Sequence, residues 1–554
     1  MNYTTIVTDV LIIGGGAAGL PAAIAAARNG VKVLVMDKGK IERSGDVGGG
    51  VDHFRAFLND GGSWDTREGF IENTWRIGKG TFDPSVFDAV VCNEMNNAVT
   101  LMAEIGVPLT QPDGTYFRKA AMGSIGSFTI NFKGKNFKPC MAKEVRKLGC
   151  RVLDKVMAIN LIVQDGVVAG AIGCDIRMGQ FYLIQAKATI LATGNTNRLY
   201  ESPRLSSFNS WLCPFDTGDA QRMAFHVGAA LTNMEYMRMT LVPKGFGAAG
   251  LGALTQMGGR LMNSLGEYYM EKHHPQGNRA PRNMLVHYSQ RELIEGRGPI
   301  FMDCTHLSEA DMSRLTATLG WDKDTLPDYM GQRGEDLRKK PMEIGLSEGM
   351  QAGPTEATGS GIKINSDSSA TFSGLFAAGD CADHNRCLFG AVTGGLHAGK
   401  AAANYALKTP IIKVKGRKVK EDNESLIAPL NRKDGFTYRE VEKAIQKIMT
   451  EGVGSARTKI GLETAITKLG RIRECLNVLK ANDYHELMRV HETRSIFQVA
   501  EIMVHAALYR EESRNIPYHY RLDFPNTDDK HWCGLVICKN KNGKMGFSFQ
   551  KVKL

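Results

Sequence analysis

The residues best suited to chemistry stand near the start of the chain. Gly14, Gly16 and Gly19 satisfy G-x-G-x-x-G, and Asp37 closes the apolar run that follows. Glycines at this spacing let a strand turn tightly into a helix, admit a pyrophosphate to the backbone, and let helix and strand pack closely. A helix N-terminus offers unpaired amides and its positive dipole end to phosphate. An acid at the end of the next strand accepts hydrogen bonds from a ribose. The chemistry implied is dinucleotide binding, and the surrounding sequence supplies the elements it needs. Val10 to Ile13 reads as a strand, Ala17 to Asn29 as an alanine-rich helix ended by Gly30, and Val31 to Met36 as a second strand.

The rest of the chain gives this unit a sheet to belong to. Cys150 to Val156, Asn160 to Val163, Val167 to Cys174 and Phe181 to Ala186 alternate like strands, with Asp165-Gly166 as a hairpin turn. Ala188 to Gly194 is a buried strand ending in Thr193-Gly194, and Leu375 to Asp380 repeats the pattern of strand, glycine and acid. Between them, Phe215 to Ala220 precedes a helix with Asp216 or Thr217 as its cap. Sheet-like alternation stops from Met239 to Gly361, a Gly- and Met-rich insertion. Ala398 to Ala406 is a following helix. Thr437-x-x-Glu440 is a capping box, and Leu462, Ile466, Leu469, Ile472, Leu476 and Leu479 recur at helical spacing. With Tyr484 to Arg510 they predict a bundle of three or four helices whose stripes are core. Asn542-Gly543 is a hairpin turn near the end. The fold class expected is α/β: a discontinuous Rossmann-like domain over 1–238 and 363–408, an inserted α+β capping domain over 239–362, a linker over 409–432, a helical domain over 433–514 and a tail over 515–554.

Composition narrows the function. The 554 residues are 43% hydrophobic and 23% charged, ordinary for a globular protein. No apolar run approaches the ~20 residues that span a bilayer, and MNYTTIVTD lacks the marks of a signal peptide. The 11 cysteines contain no C-x-x-C, so reduced thiols in a cytoplasmic protein are expected, with any iron–sulfur cluster on another chain. No histidine pair has metal spacing, and no serine or cysteine constellation suggests nucleophilic catalysis. The net charge of +11 admits an anionic substrate or an acidic partner. The basic run Lys413 to Lys420 has no interleaved aromatics and speaks against nucleic acid.

The three glycine–acid stations, with GGRLMNSLGEYYM (Gly258 to Met270), APRNMLVHYSQRELIEGRG (Ala280 to Gly298) and ALYREESR (Ala507 to Arg514), resemble the flavoprotein subunits of succinate dehydrogenase and fumarate reductase. ERSGDV (Glu42 to Val47), SWLCPFDTGDA (Ser210 to Ala220), DYHELMRVHE (Asp483 to Glu492) and YHYRLDFPNTDDKHW (Tyr518 to Trp532) resemble the α subunits of dissimilatory adenylylsulfate reductase within that superfamily. The resemblance implies FAD as cofactor and a small ferredoxin-like iron–sulfur partner subunit. It implies cofactor contacts from Gly14, Gly16, Ala17, Ala18, Gly19, Asp37, Lys38, Ser44, Gly45, Gly50, Val156, Thr193, Gly194, Asp219, Gly379, Asp380, Ala391 and Val392. Gly45 stands where relatives attach FAD to a histidine, so the FAD is expected to be non-covalent.

The same resemblance assigns catalytic candidates. Arg282 matches a proton-delivering arginine and Arg386 a substrate-clamping one, while Trp211 matches an aromatic residue near the flavin. Thr240 and Glu356 stand where relatives place substrate histidines. Each candidate has a plainer reading beside it: Arg282 as a helix-start ion pair, Arg386 and Glu356 as surface charges, Trp211 as core. His226, His287 and His384 read as structural. Three functions stay open: the flavin subunit of an adenylylsulfate-reductase-like enzyme with an anionic substrate, a fumarate-reductase-like enoate reductase, and an electron-relay module with no substrate of its own.

Overall fold

The computed structural model describes residues 3–202, 208–247, 251–321, 324–351, 359–384, 387–414 and 425–554. Strand β1 (Tyr3–Ile13), helix α1 (Gly19–Arg28) and strand β2 (Val33–Asp37) open it, with β1 and β2 parallel and Ile13 beside Met36. Val10 to Ile13 and all of β2 are buried, as parallel strands covered on both faces must be. The sheet runs in the order Arg151–Asp154, β2, β1, Phe181–Leu191, Val167–Asp175, Val156–Gln164, and Leu375–Ala377 also pairs with Phe181–Leu191.

Register decides where the glycine–acid stations meet. Ile13 lies beside Leu191, and Leu191 beside Ala377. The chain therefore leaves the sheet at one edge in all three places, the carboxyl edge where open α/β sheets bind ligands. The expected strands Phe181 to Ala186 and Ala188 to Gly194 are one strand. Lys187, which breaks its apolar pattern, pairs with Asp9 on β1 at 2.8 Å. The helix expected at Ala398 to Ala406 starts earlier and runs Cys387–Lys408. It packs against α1, where a Cβ on Gly395 would stand 2.3 Å from the Ala18 carbonyl oxygen.

The insertion does contain a sheet. Leu241–Pro243, Met342–Leu346, Ile300–Asp303 and Arg260–Met262 pair antiparallel in that order. Strands of three to five residues are too short for a period-two pattern to stand out. Beyond it, Thr437 and Glu440 form the reciprocal cap of helix Tyr438–Gly452. That helix, Lys459–Leu476 and Tyr484–Tyr509 pack on one another, and Leu479 lies past the end of the second. Asn542 and Gly543, both at positive φ, turn the final hairpin Gly534–Lys541 and Lys544–Lys551. The hairpin extends a four-stranded sheet with Leu231–Thr232 and Gly361–Ile362, which ties the tail to the strands before and after the insertion. No helix among the described residues is long and apolar enough to cross a membrane.

Candidate functional site

At the carboxyl edge of the sheet the chain builds a cavity of about 750 Å³. The glycine turn forms its floor. Gly14 has φ +101°, and a Cβ there would meet the Ala192 carbonyl oxygen at 2.3 Å; a Cβ on Gly19 would sit 1.8 Å from the Gly14 carbonyl oxygen. Gly16 faces more open space, its nearest neighbour 3.9 Å away. Helix α1 has neither a side-chain cap nor an acid in its first turn, so no negative charge of its own opposes an anion at its positive end.

The turn is held from both sides of a single residue, Gly15. Asp37 Oδ2 accepts from Gly15 N at 2.7 Å and from Ser44 Oγ at 3.0 Å, and Oδ1 accepts from Gly39 N at 2.6 Å. Lys138, fully buried, donates its ammonium to the Gly15 carbonyl. Burial pushes the Lys138 pKa down to about 8. Asp37, expected as a ribose acceptor, thus also fixes the turn that would receive the phosphates. Nothing in the polar stretch ending at Lys138 pointed to that lysine.

Of the expected cofactor residues, Gly14, Gly16, Ala17, Ala18, Asp37, Lys38, Ser44, Gly45, Gly50, Val156, Thr193, Gly194, Asp219, Gly379, Asp380 and Ala391 line the cavity. Gly19 and Val392 do not. Gly19 is taken up by the contact between helix and strand, and Val392, one step round its helix from Ala391, is turned into the core. Asp380 Oδ1 accepts from Cys387 N at 3.1 Å, tying the third station to the start of helix Cys387–Lys408. Asp216 and Thr217 do not cap the helix Asp219–Val227; Gly218, at φ +79°, takes that position. Asp216 lies at the cavity instead. Burial, followed by the nearby Asp46 carboxylate, pushes its pKa well up.

One wall comes from an unexpected element. Helix Tyr484–Tyr509 brings His485, Met488, Arg489 and Glu492 to the cavity. Lys38 Nζ donates to Asp219 Oδ2 at 2.8 Å and to Glu492 Oε1 at 3.1 Å, and Glu492 Oε2 accepts from Arg198 and Arg489, each at 2.7 Å. Burial disfavours the Glu492 carboxylate, but Lys38, Arg198 and Arg489 outweigh it and hold its pKa near 2.

A second cluster gathers at Trp211. Its ring is buried, with the Arg238 guanidinium 5.0 Å and the Arg282 guanidinium 5.8 Å from the ring centre. All three residues line the cavity. Arg282 Nη1 donates to Thr240 Oγ1 at 3.1 Å, so these two sequence candidates meet. Trp211 N donates to Glu348 Oε1 at 3.1 Å, and burial raises the Glu348 pKa to about 7. The Trp211 ring N–H is buried with no partner among the described residues. Trp211 also packs on Val242 and Met350, so it is a core residue as well as a cavity wall. Arg238 and Glu348 were missed; a lone arginine two residues before Thr240 gives no sequence signal. The described residues of the stretch Leu241 to Met262 contribute nothing to the cavity lining, and Met257 is buried in the core. Glu356 and Arg386 lie outside the described residues, as does the basic run from Lys415. His384 is structural, its Nε2 accepting from Asp83 N at 2.9 Å.

Comparison with known families agrees with this geometry. The family described as FAD binding domain matches residues 9–397, and the one described as fumarate reductase flavoprotein C-term matches residues 442–554. This chain belongs to the FAD-binding flavoprotein family of succinate dehydrogenase and fumarate reductase. It is 28% identical to an uncharacterized FAD-dependent oxidoreductase of Methanocaldococcus jannaschii, over 98% of this chain and 97% of that one. It is 27% identical to one chain of the fumarate reductase (CoM/CoB) of Methanothermobacter marburgensis, over 96% and 97%. The structure of adenylylsulfate reductase from Archaeoglobus fulgidus superposes with a TM-score of 0.88 at 26% identity, covering 100% of this chain and 97% of that one. The chain is an FAD-dependent oxidoreductase. The residues present fit the cofactor: open space at Gly16 before a helix start without an acid, an acid at the end of β2, and a buried indole donor without a partner among the described residues.

Proposed function

We propose that the chain is the flavin subunit of an adenylylsulfate-reductase-like enzyme. It would act on a small substrate with one anionic group and exchange electrons with a ferredoxin-like iron–sulfur partner. The observation that carries the substrate reading is the pair of guanidiniums, Arg238 and Arg282, meeting one indole at the cavity. Arginine forks bind planar anions through two hydrogen bonds at once. Both converge on the same ring, so they serve one end of a ligand and not two separated carboxylates. Thr240 Oγ1 holds Arg282 by one nitrogen, which sets the orientation of the fork. Bound FAD supplies two-electron chemistry at N5 and can release electrons singly. Gly45 in place of an attaching histidine supports non-covalent binding. The surplus of positive charge suits an acidic partner chain.

The test is an anaerobic screen of small anions monitored by flavin absorbance, on protein purified with its native partner. The active compound should lose turnover by about 100-fold or more in Arg282→Ala at unchanged FAD content. A substrate turned over equally well by Arg282→Ala and Arg238→Ala would remove the basis of the reading. The relative named fumarate reductase favours a second reading, an enoate reductase, in which an enoate alone would rapidly re-oxidise the reduced protein.

A further inference from the structure

The wall built by helix Tyr484–Tyr509 has its own chemistry. His485, Met488, Arg489 and Glu492 are spaced by three, one and three residues and share one helix face. Met488 joins Met157 and Ile176 in an apolar cluster separate from the main core, and all three line the cavity. His485 also lines it, and its Nδ1 is buried with no hydrogen-bond partner among the described residues. Burial, then the charges of Arg489 and Arg177, push the His485 pKa down. The ring is therefore neutral at pH 7, with one nitrogen a donor and the other an acceptor.

The position of this wall selects the part of the dinucleotide that meets it. The Lys38–Glu492 ion pair joins the helix to the residue after Asp37, and Met157 follows Val156, also at the cavity. Asp37, Lys38 and Val156 line the same cavity as this wall. We propose that the C-terminal helical region recognises the purine of FAD: Met157, Ile176 and Met488 form an apolar slot for the base, and His485 Nδ1 hydrogen-bonds its polar edge. An apolar slot with one oriented polar atom is what a purine needs, a flat hydrophobic body with donors and acceptors at the rim. Cofactor binding then couples the two matched regions, 9–397 and 442–554. The inference rests on the assignment of FAD and is independent of the substrate reading.

The test uses the full-length apoprotein titrated with FAD, FMN and an FAD analogue carrying hypoxanthine in place of adenine. Flavin fluorescence gives each Kd. FMN lacks the adenylate, so a contact with the purine affects FAD alone. Met488→Ala should weaken FAD binding about tenfold or more and leave FMN unchanged. Met488→Leu should keep most of the affinity. The unsubstituted protein should discriminate against the hypoxanthine analogue, and His485→Phe should abolish that discrimination. Equal weakening of FAD and FMN would mean that the helix only supports the fold. Unchanged FAD binding in both variants, or no discrimination between the two purines, would also overturn the proposal. Should Met488→Ala fail to fold, His485→Phe carries the decision, with the rise in Tm on adding FAD as a second reading.

Discussion

Replacing Asp37 tests the cofactor site at its most connected residue. Its carboxylate accepts from Gly15 N, Gly39 N and Ser44 Oγ at 2.7, 2.6 and 3.0 Å. Hydrogen bonds to a charged partner contribute about 1.5–3 kcal/mol each. Ser44 is part-buried and can turn to water, whereas the two backbone amides have no such freedom. Asp37→Ala therefore costs about 3–6 kcal/mol at the turn, before any loss of a ribose contact is counted. Part of that cost falls on the apoprotein. If about 3 kcal/mol is felt in cofactor binding, the Kd for FAD rises about 100-fold. Asp37→Asn keeps one oxygen acceptor and should lose about tenfold. The assay is flavin fluorescence quenching on the apoprotein, with thermal unfolding of apo and holo forms to separate fold from affinity. A Kd within about threefold of the unsubstituted value in Asp37→Ala, with Tm unchanged, would refute the claim that this carboxylate locks the glycine turn.

Other outcomes follow from the same geometry. Acid precipitation should release all yellow colour to the supernatant, because Gly45 offers no side chain for attachment; a flavin-labelled polypeptide on a denaturing gel would contradict this. Glu348, its pKa raised by burial from 4.5 to about 7, binds its proton more tightly folded than unfolded. Its contribution is fully present below pH 4.5 and is lost as pH rises through 7. Glu348→Gln should remove up to about 3 kcal/mol of that pH dependence, seen as Tm curves for the two proteins that converge at low pH and separate by about pH 8. Lys38→Met leaves Asp219 and Glu492 without their shared ammonium and should cost about 3–5 kcal/mol, read as a lower denaturant midpoint; an unchanged midpoint would show the network to be idle.

The nucleotide site was legible in the sequence because glycine geometry is a local signal. Gly14, Gly16, Gly19 and Asp37 announce their roles through spacing, and the register of Ile13, Leu191 and Ala377 brings the other two stations to them. Lys187 misled because a charge within a strand looks like a break until its partner, Asp9 on β1, is known. Lys138, Arg238 and Glu348 were illegible for the same reason: a buried charge is defined by what surrounds it, and those neighbours are distant in sequence. His485, Met488 and Glu492 did carry a pattern, one helical face, but periodicity alone does not distinguish a face packed on core from one packed on a ligand. Resemblance picked out Arg282 and Trp211, which meet at one cavity, and it passed over Arg238, which stands with them.

Steady-state turnover of fumarate and succinate, by the protein purified with its native partner, tests the central claim most directly. Two guanidiniums converge on Trp211, and Thr240 binds one of them. On the proposed reading that arrangement holds one anionic group, and a dicarboxylate is a poor fit. Negligible turnover of both compounds, with a monoanionic substrate active and dependent on Arg282, is the expected result. Turnover of fumarate or succinate in the ordinary enzymatic range of about 1–1000 per second would contradict it and return the chain to the dicarboxylate enzymes.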